Sequence, residues 1–163
     1  MQQVNKKVIL IGNFGVGKTS LVRRFVHQKF SDEYLTTLGV KIDKKLVELN
    51  ETSVNMLIWD VAGEVSQTKV PTSYYLGAHG IIYVFDSTRP STFQNVTDDL
   101  EYVQKLLPKA PVCLVGNKKD LVPEEDLNKI GEQLQREVDF FTSALTGENV
   151  EKMFHYIALK MIE

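Results

Sequence analysis

The sequence predicts an α/β fold, a doubly wound and mainly parallel sheet of six strands with one antiparallel edge strand and about five helices. Short apolar runs rich in β-branched residues alternate with longer segments of helical spacing, which is typical of strand–helix–strand units. The run 81–85 is apolar throughout, so both of its faces should be covered by helices, as in a parallel sheet. No linker or internal repeat divides the 163 residues, so we expect one domain over residues 1–163.

The first half of the chain contains three expected strands and one helix. Residues 4–11 form a short apolar run and predict the first strand, and residues 18–27 repeat apolar side chains at helical spacing through Leu21, Val22 and Phe25. Residues 28–37 look irregular. Residues 40–49 alternate polar with apolar side chains, and residues 54–59 follow after a turn at 50–52, so these two strands should form the antiparallel hairpin.

The second half continues the alternation. Residues 64–76 predict a weak helix that Pro71 interrupts, and Pro90 opens a helix that should end near Leu107. Buried strands are expected at 81–85 and 112–115, the second of which contains Cys113 as a core residue. The last elements are an amphipathic helix at 124–136, a strand at 138–142 and a helix at 150–162.

The composition excludes several classes of function. The net charge of −2 gives no general attraction to nucleic acid or to anionic membranes. No apolar run approaches the roughly 18 residues of a membrane-spanning helix, and the chain shows no lipidation cysteine as an anchor. A single cysteine without a disulfide partner fits a reducing compartment, so we expect a cytoplasmic monomer that reaches a membrane only through a tail or a partner.

In doubly wound sheets, ligands bind at the carboxyl ends of the strands, here the strands that end at Ile11, Trp59, Val115 and Thr142. Residues 12–19, Gly-Asn-Phe-Gly-Val-Gly-Lys-Thr, follow the first strand and match the phosphate-loop pattern Gly-x4-Gly-Lys-Ser/Thr. Inward-facing amides and the helix N-terminus would hold phosphate oxygens, Lys18 would lie against the β- and γ-phosphates, and the Thr19 hydroxyl would bind Mg²⁺. The candidate phosphate-binding residues are Asn13, Phe14, Gly15, Val16, Gly17, Lys18, Thr19 and Ser20.

Residues 117–121 favour guanine as the base. The Asp120 carboxylate can accept two hydrogen bonds from guanine N1–H and its 2-amino group, a pair of donors that adenine does not offer. Lys118 can lay its stem on the ring, Asn117 can tie this loop to the phosphate loop, and residues 142–144 can offer an amide to guanine O6. The candidate base-binding residues are Asn117, Lys118, Asp120, Leu121, Ser143, Ala144 and Leu145. An ATPase or kinase would share the phosphate loop but has no use for residues 117–120.

Together these residues resemble the Ras superfamily of small GTPases, and most closely the Rab branch. Residues 37–40, 74–82 and 142–154 are also similar to the corresponding Rab segments, so the resemblance covers essentially the whole chain. It implies a P-loop NTPase fold of the small G-protein type. It also implies bound GTP or GDP with Mg²⁺, and effector, exchange-factor and GTPase-activating proteins that dock on residues 30–50 and 60–76.

The resemblance also implies roles for single residues. Phe30 would lie edge-on to guanine, and Tyr34 would cover the phosphates. Thr19 and Thr37 would bind Mg²⁺ directly, and Asp60 would hold it through water. Thr37 and Gly63 would meet the γ-phosphate through their backbone amides, and its loss would release both loops. The implied catalytic residues are Lys18, Thr37, Gly63 and Glu64.

Three residues depart from the family pattern. Glu64 stands where the family usually has glutamine, whose amide both accepts from the attacking water and donates to the γ-phosphate. Four alternatives stay open for a carboxylate there: it turns away from the attacking water, it takes up a proton, it acts as a general base, or it is merely an exposed acid. We expect slow hydrolysis. Phe14 would crowd the approach of a partner's arginine, and no arginine of the chain is obviously placed to replace it; Arg23 and Arg24 look like surface residues. Leu145 replaces a usual lysine beside the base.

The segment at residues 60–76, which the resemblance identifies as the second switch, is also unlike that of Rab proteins, because Val65 and Ser66 interrupt its usual acidic-aromatic continuation. The main prediction is a slow GTP-hydrolysing switch, and the alternative is a GTP- or GDP-binding scaffold with negligible hydrolysis.

Overall fold

Six strands form one sheet in the computed structural model, which describes residues 2–28, 39–64 and 66–163. The strands are β1 (Gln2–Gly12), β2 (Val40–Glu48), β3 (Thr52–Val61), β4 (Gly80–Asp86), β5 (Val112–Asn117) and β6 (Phe140–Phe141). Their order is β2-β3-β1-β4-β5-β6, in which β2 is antiparallel to β3 and the other neighbours are parallel. The predicted fold class is therefore confirmed.

Five α-helices cover the two faces of the sheet in the described part of the chain: α1 (Lys18–His27), α2 (Thr72–Tyr75), α3 (Val96–Leu106), α4 (Glu124–Leu134) and α5 (Val150–Ile162). One face packs on α1 and α5, where the buried rings of Phe25 and Phe154 stack with centroids 4.1 Å apart. The other face packs on α3 and α4 through side chains such as Leu100 and Leu127. All residues of β4 are buried, as expected for a strand covered on both sides, and Cys113 lies in the core.

The segment between β3 and β4 differs from its prediction. The helix expected at 64–76 is not one continuous helix, although the predicted interruption at Pro71 is confirmed: a 3₁₀ turn at Gln67–Lys69 precedes α2, a single helical turn that begins after Pro71. The segment from Pro90 is also divided, because a 3₁₀ turn at Pro90–Thr92 comes before α3 starts at Val96. The helix expected at 124–136 ends at Leu134, where Gln135 turns left-handed with φ 52°, and β6 is shorter than the strand expected at 138–142.

The register of the strands brings the candidate site together. Leu10 pairs with Asp60, Gly12 with Val84, and Asp86 with Asn117. The carboxyl ends of β1, β3, β4 and β5 therefore share one edge of the sheet. No helix in the described ranges is long and apolar enough to cross a membrane.

Candidate nucleotide-binding site

The phosphate loop, residues 12–19, joins β1 to α1 and encloses Lys18. Gly17 has φ +98°, and a Cβ there would lie 2.3 Å from Nδ2 of Asn117, so only glycine fits this turn. The buried Lys18 ammonium donates to the carbonyls of Gly12 and Asn13 at 3.4 and 3.3 Å. Burial lowers the pKa of Lys18 to about 8, and the nearby Asp60 carboxylate opposes this shift. An ammonium held in this way is ready to pair with a phosphate.

The base loop, residues 117–121, is tied to the phosphate loop by two side chains. Asn117 Nδ2 donates to the Val16 carbonyl at 3.0 Å, while its Oδ1 accepts from the Thr142 hydroxyl at 3.1 Å. Lys118 Nζ donates to the Gly15 carbonyl at 3.2 Å. The Asn117 contact is the one that the sequence suggested, and it fixes the distance between the phosphate and base ends of the site.

The loop at residues 142–147 completes the base end of the site. The Ser143 hydroxyl donates to Asp120 Oδ1 at 2.7 Å, and its amide donates to the Glu148 carbonyl at 3.1 Å. Among residues 142–144, this leaves the amide of Ala144 as the best candidate donor to guanine O6. Arg24 is not a simple surface residue, because its guanidinium donates to the carbonyls of Ala144, at 3.0 Å, and Leu145. Arg24 therefore supports the loop at residues 142–147, next to Leu145, which stands where the family usually has lysine.

Two oxygen groups meet where Mg²⁺ was expected. The Thr19 hydroxyl donates to Asp60 Oδ2 at 2.6 Å, and Asp60 is almost fully buried at the end of β3. Hydroxyl and carboxylate oxygens are the hard ligands that Mg²⁺ prefers, so this pair fits the ion. Thr37, the third residue expected at the metal, lies outside the described residues, as do Phe30 and Tyr34.

Gly63 and Glu64 are docked against the phosphate loop. A Cβ on Gly63 would lie 2.5 Å from Phe14 Cα and 2.8 Å from Phe14 N, so no larger residue fits without a backbone shift. The Glu64 amide donates to the Gly12 carbonyl at 3.3 Å. The structure thus brings the described candidates for phosphate, base and metal binding to the same edge of the sheet.

Comparisons with known proteins agree with this geometry. The model of the Ras family matches residues 7–163. The chain belongs to the Ras family.

Its relatives in this family include Rab proteins. "Ras-related protein Rab-1A" of Dictyostelium discoideum is 38% identical over 162 residues, which cover 95% of this chain and 79% of that protein. "Ras-related protein SEC4" of Saccharomyces cerevisiae is 37% identical and covers 96% of this chain and 74% of its own length. "GTP-binding protein YPT1" of the same yeast is 38% identical, with 96% and 79% covered. The resemblance to the Rab branch is therefore confirmed.

This Ras-family chain has a buried polar network after Glu64 that the sequence did not reveal. The side chain of the buried Gln67 donates from Nε2 to the Glu64 carbonyl at 3.3 Å. The backbone amide of Gln67 donates to Asp99 Oδ1 of α3 at 3.2 Å. Asp99 also accepts from the Tyr83 hydroxyl at 2.6 Å, and the Tyr75 hydroxyl donates to the Gln67 carbonyl at 3.3 Å. Burial raises the pKa of Asp99. The network anchors the turn that carries Glu64, and its only sequence signal was an acid on the apolar side of a helix.

A second feature missed in the sequence lies at the end of β4. The buried Asp86 carboxylate pairs with Lys118 Nζ at 2.8 Å and lies 3.9 Å from Arg89 Nη1. Arg89 Nη1 in turn donates to the Phe14 carbonyl at 3.0 Å. The sequence pointed to no arginine beside the phosphate loop, whereas the structure brings Arg89 into contact with it.

Proposed function

We propose that this protein is a guanine-nucleotide switch that binds GTP or GDP with Mg²⁺ and hydrolyses GTP slowly. The observation that carries the proposal is the link between a phosphate loop enclosing Lys18 and a base loop carrying Asp120, made by Asn117 and Lys118. Two recognition elements at a fixed separation suit a ligand with phosphates at one end and a guanine at the other. Membership of the Ras family supports a GTP-binding regulatory GTPase.

The phosphate end would supply charge and orientation. Lys18 would exchange its contacts with the Gly12 and Asn13 carbonyls for phosphate oxygens. Thr19, Asp60 and Thr37 would hold Mg²⁺, which when bound neutralises phosphate charge. Gly63, held against Phe14, would direct its amide to the γ-phosphate. Loss of that phosphate would weaken the hold on Gly63 and Thr37 together, which is the basis of a switch.

Hydrolysis requires a water oxygen to bond to the γ-phosphorus while the bond to the bridging oxygen breaks. The electron pair stays on the β-phosphate of GDP, and the proton of the water passes to the released phosphate. Glu64 can accept a hydrogen bond from that water but, when ionised, cannot donate one to the γ-phosphate. Its negative charge also opposes the charge already on the phosphates. Turnover should therefore be slow.

The partner-binding surface would include a partly exposed apolar strip formed by Ile42, Trp59 and Tyr74. Ile42 of β2 is 49% exposed and pairs across the strands with Trp59 of β3. The Trp59 ring lies 6.3 Å from that of Tyr74 on α2. These side chains lie within or next to residues 39–50, 60–64 and 66–76, the described parts of the expected docking region. This strip runs from β2 to α2, beside the segment of Gly63 that is proposed to meet the γ-phosphate, and it supports binding of effector and exchange proteins there.

The test is a single-turnover measurement of phosphate release from bound GTP, after the co-purifying nucleotide has been identified. We expect guanosine phosphates in the purified protein and slow phosphate release that Glu64→Gln accelerates, because the amide can both accept and donate. Glu132→Gln, an exposed acid on α4, makes the same charge change elsewhere and should have no effect. Unchanged release from Glu64→Gln would contradict the role given to Glu64, and slower release would indicate a general base.

The alternative function is a binding scaffold without turnover, which Phe14 and Glu64 favour. Phe14 is 51% exposed beside the phosphate loop, where its ring would hinder an arginine brought by a partner. Phosphate release at the rate of GTP in buffer alone, with and without cell extract as a source of activator, would favour the scaffold. Absence of guanosine phosphates, and no binding when they are added with Mg²⁺, would refute both functions.

A further inference from the structure

We propose that Arg89 is an internal cation for GTP hydrolysis, the positive group that many GTP-hydrolysing proteins receive from a partner. This inference rests on the proposed function and assigns the reaction a residue at the end of β4. The reaction spreads negative charge over the γ-phosphate oxygens, and an arginine that meets this charge accelerates phosphoryl transfer by roughly 10³–10⁵-fold, whether it comes from the same chain or from another.

The position of Arg89 is the first argument. Its Nη1 donates to the Phe14 carbonyl at 3.0 Å, while Gly63 packs against the nitrogen and Cα of the same residue. A single residue of the phosphate loop, Phe14, thus contacts both the glycine proposed to meet the γ-phosphate and the Arg89 guanidinium. The carbonyl that holds Arg89 is bonded directly to the Cα against which Gly63 packs, so the guanidinium lies beside the residue of the phosphate loop that contacts Gly63.

The charge of Arg89 is available for a phosphate. Among the acids that the structure describes, the one paired with Arg89 is Asp86, which lies 3.9 Å away and is paired more closely with Lys118, at 2.8 Å. The Arg89 side chain remains 43% exposed. A guanidinium has five N–H donors, and the contact with Phe14 uses one of them, so others can meet phosphate oxygens.

The loop that carries Arg89 is fixed, so its guanidinium starts close to its working position. The Arg89 amide donates to the Asp86 carbonyl at 3.0 Å, and the Arg89 carbonyl accepts from both the amide and the hydroxyl of Thr92, at 2.9 and 2.8 Å. Asp86 Oδ1 further accepts from the amide and hydroxyl of Thr88. Pro90 follows directly, and its ring fixes its own φ and restricts the backbone of Arg89. A preorganised cation stabilises developing charge more effectively than one that must be ordered during the reaction.

Arg89 would also explain how GTP can be hydrolysed in a site that obstructs the arginine of a partner protein. The exposed Phe14 ring obstructs a partner's arginine, and Glu64 adds negative charge near the phosphates. Because Arg89 bonds to the backbone of Phe14 and not to its ring, the bulky side chain does not prevent the contact. The chain therefore carries its own cation where access for another is reduced.

The test compares the wild type with Arg89→Ala, Arg89→Lys and the control Arg136→Ala, which removes the same charge from an exposed site after α4. Three rates are measured: single-turnover hydrolysis of bound GTP, dissociation of GDP, and hydrolysis by Arg89→Ala with added methylguanidinium. We expect Arg89→Ala to slow hydrolysis at least tenfold while GDP dissociation changes less than about twofold. Arg89→Lys should fall between the two, methylguanidinium should partly restore the Arg89→Ala rate, and Arg136→Ala should match the wild type.

Equal hydrolysis by the wild type and Arg89→Ala would overturn the inference and leave the proposed GTPase standing. Faster GDP dissociation from Arg89→Ala, with unchanged hydrolysis of the GTP that stays bound, would overturn it too, because Arg89 would then only brace the loop. A wild-type chain that binds GTP and releases no phosphate would refute the turnover and this inference together.

Discussion

Asn117 should control how tightly the nucleotide is held, because it joins the two ends of the site. Its side chain is buried, donates to the Val16 carbonyl at 3.0 Å and accepts from the Thr142 hydroxyl at 3.1 Å. Asn117→Ala deletes both bonds and leaves two buried partners unsatisfied. At about 1 kcal/mol for each bond, and up to about 2 kcal/mol more for the stranded partners, the free energy of unfolding should fall by about 2–4 kcal/mol.

The effect on binding follows from the first of these bonds. If the bond between Asn117 and Val16 contributes this same value of about 1 kcal/mol to holding the phosphate loop against the base loop, GDP should bind about fivefold more weakly. Urea unfolding measures the stability, and dissociation of a fluorescent GDP analogue measures the binding. Asn5→Ala is the matched control, since Asn5 accepts from Asn55 Nδ2 at 3.0 Å in an exposed pair, and it should change neither quantity appreciably. Nucleotide dissociation from Asn117→Ala at the control's rate would refute the idea that this tie sets the spacing of the site.

Two further predictions concern Lys18 and Gly63. Because burial lowers the pKa of Lys18 to about 8 without nucleotide, whereas phosphate favours its charged form, GDP affinity should be level below about pH 7 and fall about tenfold from pH 7 to pH 9. Titration of GDP at several pH values measures this, and the same fall in Lys18→Arg, whose guanidinium stays charged, would exclude Lys18 as its source. Gly63→Ala should slow single-turnover hydrolysis at least tenfold, because its Cβ would lie 2.5 Å from Phe14 Cα and displace the γ-phosphate contact. Gly131→Ala is the control, since a Cβ on Gly131 meets no atom within 4 Å, and equal rates for the two variants would show that residue 63 tolerates a side chain.

The sequence predicted best those elements whose determinants lie close together in the chain. The bounds of α1 and α5 agree with prediction because regular apolar spacing and a clear starting loop mark both helices. The helix expected at 64–76 failed because distant groups decide that segment. Gln67 is anchored by Asp99 of α3, Pro71 sets the start of α2, and Gly77, with φ 74°, lies just beyond its end. Local helical preference could not reveal an acceptor that lies 32 residues further along the chain.

Arg89 was missed for a different reason, and the information needed to find it was available. The loops predicted to bind ligand follow the strands that end at Ile11, Trp59, Val115 and Thr142, and the loop after β4 is not among them. Yet β4 lies between β1 and β5, so its carboxyl end must face the same edge as the phosphate and base loops. The residue there, Asp86, is an acid directly after an apolar strand, and an ionised acid buried at that position favours positively charged partners. Strand order together with that one charge predicts a cation beside the phosphate loop, and Arg89 follows Asp86 by three residues.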